Sequence, residues 1–341
     1  MTARIVLLVT SPRLPAGLLT AAAWDAVRAH PVLAGAESEL SAALRAAGAE
    51  VTVTDEPVSA LLAAAATHGT VVWLAGPTGD EDLARELGLR LAREPGLAEL
   101  ELMYGSWDPP GARLLDAVAV LDRLLSPGGD PWKRAQTHTT LAPFLLEECY
   151  EAYDAIAAGD LVALREELGD VLLQVVLHAR LAEELPEGQR WTIDDVAGGL
   201  VAKMIRRNPH VFAGETVGSL EEITENWEQI KRAEKPRASV LDGVALSQPA
   251  LALAAKVLHR VERAGLDVPL PTADSDPVLR LGTSLLETVA RAREAGLDAE
   301  AALRQATLEY AATVRAVERE RVGGEPGPAG ESAGGEPGPA R

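Results

Sequence analysis

The sequence predicts a mainly α protein: an all-α helical core, a small α/β domain before it, and a degenerate helical repeat after it. Three observations lead there. Strand-like and helix-like runs alternate up to about residue 127. From Pro131 onward apolar residues recur at helical spacing, and Gly159 divides two long arms. A later stretch, from Arg280, repeats the rhythm of the second arm but lacks its acids.

In the first part, residues 1–127, IVLLVT (Ile5 to Thr10), VTVT (Val51 to Thr54), TVVWLAG (Thr70 to Gly76) and LELMYG (Leu100 to Gly105) read as strands. LLTAAAWDAVRAH, from Leu18, and DEDLARELGLRLARE, from Asp80, are Ala/Leu-rich helical runs between them. SPGGDP (Ser126 to Pro131) interrupts the pattern and marks a domain boundary.

The central part, residues 131–237, is helical. Thr140 is placed to cap a first arm, with Pro143 in its opening turn, where proline is tolerated. Asp160, directly after Gly159, is placed to cap the second arm. Leu161, Leu164, Leu168, Val171, Leu172 and Val175 form a stripe of spacings three and four, expected to pack the hairpin, with Glu167 and Asp170 on its flank. A third helix is expected from Thr192 to about Arg207, ended by Asn208-Pro209. A fourth is expected from Ser219, with Glu222 completing a capping box, to a stop before Pro236.

Residues 245–321 are helical again. RLGTSLLETVARAREAGL, from Arg280, lines up with ELGDVLLQVVLHARLAEE, from Glu167; Arg280 stands at the place of Glu167 and Thr283 at that of Asp170. This reads as a second copy that has lost its acids. The tail, residues 322–341, repeats GGEPGPA, cannot bury a core, and is expected to be disordered.

The formal net charge of −19 argues against a nucleic-acid polymer as partner, since phosphate backbones need a basic surface. A free nucleotide is not excluded, because metal can bridge its phosphates to carboxylates. Apolar residues make up 47% of the chain, enough for a substantial core. The N-terminus has neither the charged start nor the long apolar run of a signal peptide, and no stretch is apolar enough for a membrane span. The lone Cys149 admits no intrachain disulfide, which fits a cytoplasmic location, and it is expected in the core.

The chemistry concentrates in LLEECYEAYDAIAAGDLVALREELGD. Glu148 and Glu151 precede Gly159 by the same intervals at which Asp170 and Glu167 follow it. At ~1.5 Å rise per residue the two pairs stand level on antiparallel helices. A spacing of three within each arm puts both members on one face. Four converging carboxylates repel one another unless a cation neutralises them, and such hard oxygen ligands suit Mg²⁺.

These residues carry a resemblance. EECYE (Glu147 to Glu151) followed by ELGD (Glu167 to Asp170) resembles the EExxE…ExxD signature of MazG-type nucleoside triphosphate pyrophosphohydrolases. Pro131-Trp132-Lys133 with Gln136-Thr137 is similar to the family's PW-x-x-x-QT segment, RRNPHVF (Arg206 to Phe212) to its RR-x-PHVF segment, and Trp227 with Ile230-Lys231 to its WExIK helix. The resemblance covers about residues 131–237 and weakens toward 265. It implies an all-α MazG-type four-helix core that forms a homodimer. It also implies hydrolysis of NTPs or dNTPs to the monophosphate and pyrophosphate with Mg²⁺ (or Mn²⁺ as a substitute), and a house-cleaning role in the nucleotide pool. It makes Glu148, Glu151, Glu167 and Asp170 the metal ligands. The N-terminal region is similar to a fragment of a tetrapyrrole methylase domain but lacks that domain's glycine-rich cofactor loop, so methyl transfer is not expected.

Further candidates follow from the needs of a triphosphate. Glu147, beside Glu148 but turned about 100° away, either orients a water or faces solvent. Lys203, Arg206 and Arg207 lie close together on the third helix and can meet the outer phosphates, or serve as ordinary charge at a helix C-terminus. Trp132 and Trp227 can stack on a base, close the pocket, or pack in the core. Lys231 can reach a phosphate or pair with Glu228 or Glu234. His178 reads as a packed or capping histidine rather than a ligand. Two alternatives stand beside the main reading: a narrow-substrate relative acting on dUTP, dCTP or phosphoribosyl-ATP, and a nucleotide-binding regulatory or scaffold protein without turnover.

Overall fold

The computed structural model describes residues 3–76, 79–214, 218–234, 238–272 and 276–323. The expected disordered tail lies, beyond Gly323, outside the described residues. Contacts divide the chain into two compact units, residues 1–202 and 203–341.

The first unit opens with five strands, β1 (Arg4–Val9), β2 (Val32–Ala34), β3 (Val51–Val53), β4 (Thr70–Leu74) and β5 (Glu99–Tyr104). They form one parallel sheet in the order β3-β2-β4-β1-β5. All four expected strands are present, ending one or two residues early. The additional strand β2 has only three residues, all buried, so it shows no alternation to read. Four helices cover the sheet: α1 (Ala21–Ala29), α2 (Glu39–Ala46), α3 (Pro57–His68) and α4 (Glu81–Arg93).

The period-two alternation of β1 divides the core. Val6 and Leu8 join Ala23 and Val27 of α1 and Leu44 of α2 on one side. Ile5 and Leu7 join Leu61 of α3 and Leu83 and Leu87 of α4 on the other. Ile5 and Leu8 are fully buried; truncating either to Ala costs about 2–5 kcal/mol, a large part of a typical folding margin. The edge strand β5 is different: Leu102 and Tyr104 are more than half exposed.

Helix α5 (Arg113–Leu125) belongs to the expected α/β part by sequence but not by packing. Its Leu121 and Leu125 form a buried cluster with Leu141, Val176 and Leu177 of the helical hairpin. The SPGGDP break therefore separates two elements that touch, and the first unit extends through both to residue 202. After the short α6 (Pro131–Arg134), the hairpin consists of α7 (His138–Ala158) and α8 (Leu161–Ala182).

The first arm starts earlier than expected. Thr137, not Thr140, is the N-cap, and Thr140 reciprocates from the third helical position in a capping box. Pro143 consequently lies inside α7, past its first turn, and withholds the N–H that would bond the Thr139 carbonyl. Asp160 caps α8 as expected, accepting from the Val162 and Ala163 amides at 3.0 Å each.

The packing stripe requires correction. Leu161, Leu168 and Val175 are exposed, at 77%, 53% and 36%. Of the expected stripe, Leu164, Val171 and Leu172 are partly buried; the face of α8 that meets α5 is buried Val176 and Leu177 with partly buried Leu172, Leu173 and Leu181. The opening half of the hairpin thus presents apolar residues that its own unit leaves uncovered. Cys149 is likewise exposed rather than in the core, because the buried face of α7 runs through Leu141, Ala152 and Ala155 and does not include it.

Helix α9 (Ile193–Arg207) is capped by Thr192, whose amide bonds Asp195 at 2.8 Å, and passes from the first unit into the second. The second unit contains α10 (Pro209–Phe212), α11 (Leu220–Glu234), α12 (Ala250–Arg263), α13 (Pro277–Glu294) and α14 (Ala299–Gly323). Ser219 accepts from the Glu222 amide at 3.2 Å, while the Glu222 carboxylate reaches the Gly218 amide at 2.7 Å. Arg293 ties α13 to α12 through the Ala255 carbonyl at 3.2 Å and Glu262 at 2.6 Å. On α13, at the positions matched to the acids of α8, Thr283 is buried and Arg280 is exposed.

Two histidines meet at the base of the hairpin. His138 and His178 approach Nδ1 to Nδ1 at 2.8 Å, with rings nearly parallel, and Trp191 stacks on His138. His178 is therefore a packed histidine, as expected. Its buried Nε2 has no protein partner, nor has the buried Oε1 of Gln174 one turn before it. Burial, and then the neighbouring His138, hold the His178 imidazole below the usual histidine range. The folded state thus favours neutral His178, so its stability contribution is full above about pH 6.5 and is lost as pH falls toward the depressed value. His259, depressed chiefly by burial, contributes with the same sign. The thermal midpoint, followed by circular dichroism, should fall between pH 7 and pH 5.5, and His178→Gln should flatten that slope.

Candidate metal centre

The turn between α7 and α8 is set by Gly159, whose φ of 70° and ψ of 18° lie in the left-handed region that side chains with a Cβ avoid. The chain reverses there, and Asp160 begins α8 at once. The two arms are consequently in register from the turn outward, and the acids at matched distances face each other.

The structure brings Glu148, Glu151 and Glu167 together: one carboxylate oxygen from each lies within 4.8 Å of the others. Glu148 and Glu167 are partly buried and Glu151 is exposed. Asp170 stands beside this triangle rather than within it, close enough for its charge to act on both Glu148 and Glu167. Burial first, then the charges of Asp170 and Glu151 and a hydrogen bond that the protonated Glu148 carboxyl donates to Glu151, push the Glu148 carboxyl above the usual range. Burial first, then Glu151 and Asp170, does the same to Glu167. A cation placed among them relieves this repulsion and the desolvation together. The donor set, all carboxylate oxygen and half open to solvent, fits a hard divalent ion such as Mg²⁺. Exposed Glu147 adds negative charge next to Glu148 but is not one of the three converging acids.

The expected cationic and aromatic residues fall in two places. Trp132, in the first unit, is 53% exposed, meets Phe144 edge to face at 6.0 Å, and carries the Lys133 ammonium 5.7 Å from its ring. It is therefore not a core residue. Lys203, Arg206, Arg207, Trp227 and Lys231 all belong to the second unit. Lys203 is partly buried. Arg206 and Arg207 converge on Glu234 of α11, the first at 2.8 Å and the second at 2.5 Å. The Arg207 guanidinium and the Lys231 ammonium both lie over the Trp227 ring, at 5.2 and 4.7 Å. Trp227 thus organises cations here, and Glu234, one of the two partners offered for Lys231, is engaged by the arginines; the side chain of the other, Glu228, lies outside the described residues. Sequence reasoning offered Glu234 only as a partner for Lys231 and missed its pairing with Arg206 and Arg207.

These features match known proteins. The model of the MazG nucleotide pyrophosphohydrolase domain matches residues 136–212. A nucleoside triphosphate pyrophosphohydrolase of Mycolicibacterium smegmatis is 49% identical over 197 residues, 54% of this chain and 60% of that one. The nucleoside triphosphate pyrophosphohydrolase of Escherichia coli is 40% identical over 185 residues, 53% of this chain and 68% of that one. A 26.1 kDa protein of Streptomyces cacaoi is 46% identical over 219 residues, 64% of this chain and 86% of that one. The chain thus spans only part of its mycobacterial relative.

The two arginines hold Glu234 ionised, drawing its carboxyl down to about 2. A depressed acid stabilises the fold fully above its unfolded value, near pH 4.5, and progressively less as pH falls toward 2. Glu234→Gln should therefore lower the thermal midpoint at pH 7. That deficit should narrow between pH 4.5 and pH 3, as the wild-type carboxylate takes up its proton.

Proposed function

This chain belongs to the MazG nucleoside triphosphate pyrophosphohydrolase family, hydrolases that act on acid anhydrides, and from that membership we propose that it converts NTPs or dNTPs to the monophosphate and pyrophosphate. The observation that carries the reading is the convergence of Glu148, Glu151 and Glu167 within 4.8 Å on a rigid hairpin, with Asp170 alongside. Mn²⁺ is the natural substitute for Mg²⁺ at such oxygen donors. Glu148, Glu151 and Glu167, with Asp170 beside them, would hold the divalent ion, which would supply charge neutralisation for a triphosphate that the acids alone would repel.

The chain's own residues do the rest. The hairpin fixes the carboxylates before substrate arrives, so no reorganisation is needed when charge develops. Water adds to the α-phosphorus, the bond from that phosphorus to the α–β bridging oxygen breaks, and pyrophosphate leaves with the bond electrons. A carboxylate of the acidic face orients the water and receives its proton. Trp132 supplies an exposed aromatic surface for a base. Glu234, by holding Arg206 and Arg207 side by side, fixes the spacing of two guanidinium groups.

The active assembly is a homodimer. Leu146, Tyr150, Tyr153 and Ile156 of α7 and Leu161, Val162 and Leu168 of α8 are all exposed, an apolar area that a second copy would cover. The helices α12 to α14 form the degenerate repeat, with buried Thr283 where a ligand acid would be. The role is house-cleaning of the nucleotide pool, in the cytoplasm. Among the described residues no helix is long and apolar enough to cross a membrane.

Two measurements test this. Glu148→Gln and Asp170→Asn should each reduce Mg²⁺-dependent pyrophosphate release at least about 100-fold, the upper end for loss of a residue merely supporting a ligand. Their far-UV spectra should match wild type. Undiminished turnover in both variants rejects the site. Ile156→Asp combined with Leu161→Asp should convert the dimer to a monomer in light scattering, whereas an unchanged mass places the contact elsewhere.

A further inference from the structure

The sheet of the first unit carries a cleft that the acidic hairpin does not use. From β1 the chain passes across β4 to reach β2 and then β3; from β4 it passes across β1 to reach β5. The connections leaving these two neighbouring strands run in opposite directions. In a parallel sheet that reversal opens a crevice outside the carboxyl ends of the strands. Here the crevice measures about 470 Å³ and is walled by the segments that follow β1, β2 and β4, with Ser106 after β5. This size lies within the range of small-molecule sites.

The walls are preformed. The segment after β1 is latched by Arg13, which bonds Asp116 at 2.8 and 2.6 Å and also bonds Asp108. The Ser11 amide bonds the Ser106 hydroxyl at 2.9 Å, and the Thr20 amide bonds the Gly105 carbonyl at 2.7 Å. A side chain at Gly105 would place its Cβ 2.9 Å from Leu8, so the close approach there requires glycine. On the far wall Asp80 is fixed by the Trp73 indole N–H and the Gly76 amide.

The lining chemistry is one-sided. Leu14, Leu40 and Trp73 offer apolar surface, while Glu37, Glu39 and Asp80 place carboxylates around it. Arg45 neutralises Glu37 at 2.6 Å, but it is not itself a lining residue. No lysine, arginine or histidine lines the crevice among the described residues. Such a site repels phosphates and carboxylates. It suits an apolar, flat body that carries several N–H and O–H donors and no negative charge.

We propose that this crevice is a second ligand site and binds an uncharged nucleoside, its base against the apolar wall and its hydroxyl and amino groups donating to the carboxylates. The site is separate from the acids of α7 and α8 and does not depend on their hydrolytic role.

Isothermal titration of the full chain in EDTA, which removes divalent ions from the acidic hairpin, tests it with adenosine, guanosine, cytidine and uridine, and with their 5′-monophosphates. At least one nucleoside should bind saturably at one per chain, and its monophosphate about tenfold more weakly or not at all, a difference of about 1.4 kcal/mol. Gly35→Leu, whose Cβ would lie 3.5 Å from the Trp73 ring, and Ala36→Trp should each fill the crevice and abolish binding. Thermal midpoint and pyrophosphate release should stay at wild-type values in both. Glu39→Arg, at an exposed lining position, should raise affinity for the monophosphate. Absence of binding by all four nucleosides, equal affinity for nucleoside and monophosphate, or binding that survives both filling variants overturns the proposal.

Discussion

Repulsion among carboxylates forced together by a helical hairpin is the constraint on which the rest depends. Left to themselves, Glu148, Glu151, Glu167 and Asp170 would separate into solvent, where like charges interact weakly. The hairpin prevents this, and the raised carboxyls of Glu148 and Glu167 record the cost, of burial first and of the neighbouring charges second. The scaffold must therefore be stable enough to bear the strain. The capping box of α7, the Asp160 cap of α8 and the left-handed Gly159 fix where each arm begins, and the Leu121–Leu125–Leu141–Val176–Leu177 cluster anchors the far ends of both arms against α5. Stability is thus concentrated away from the acids, and the acidic stretch is held as the free span of an anchored pair of rods.

The second unit solves the opposite electrostatic problem. Adjacent arginines at the end of α9 would also repel, and here an acid is supplied: Glu234 accepts from both, and Trp227 offers its ring face to Arg207 and Lys231. Its cations are internally compensated, while the acids of the hairpin are not. That asymmetry separates residues that await a partner from residues already arranged around one.

Much of this was legible in the sequence where local signals decide. Gly159 followed by Asp160 fixes a turn and a cap within two residues, and the level pairing of the acids follows from helix geometry alone. The cap of the first arm was misplaced by three residues because Thr137 and Thr140 are chemically alike, and only the reciprocal bonding distinguishes cap from third position. Strand β2 was invisible because three buried residues have no alternation. The apolar stripe of α8 was real as a pattern, but periodicity reports which residues share a face and not what covers that face. Leu161 and Leu168 show the difference. The engagement of Arg206 and Arg207 by Glu234 joins residues 27 and 28 positions apart, beyond any spacing rule within one helix.

The tight reversal at Gly159 has a consequence for how this gene can vary. Replacing a surface residue in either arm leaves the acids facing each other, but inserting or deleting a single residue between Glu151 and Glu167 does not. Each added residue in a helix swings everything beyond it by about 100° and advances it by about 1.5 Å. Glu167 and Asp170 would then point away from Glu148 and Glu151 though every ligand was still encoded. Segment length is therefore under tighter restraint than residue identity, and divergence in this hairpin is confined to substitutions that preserve the count.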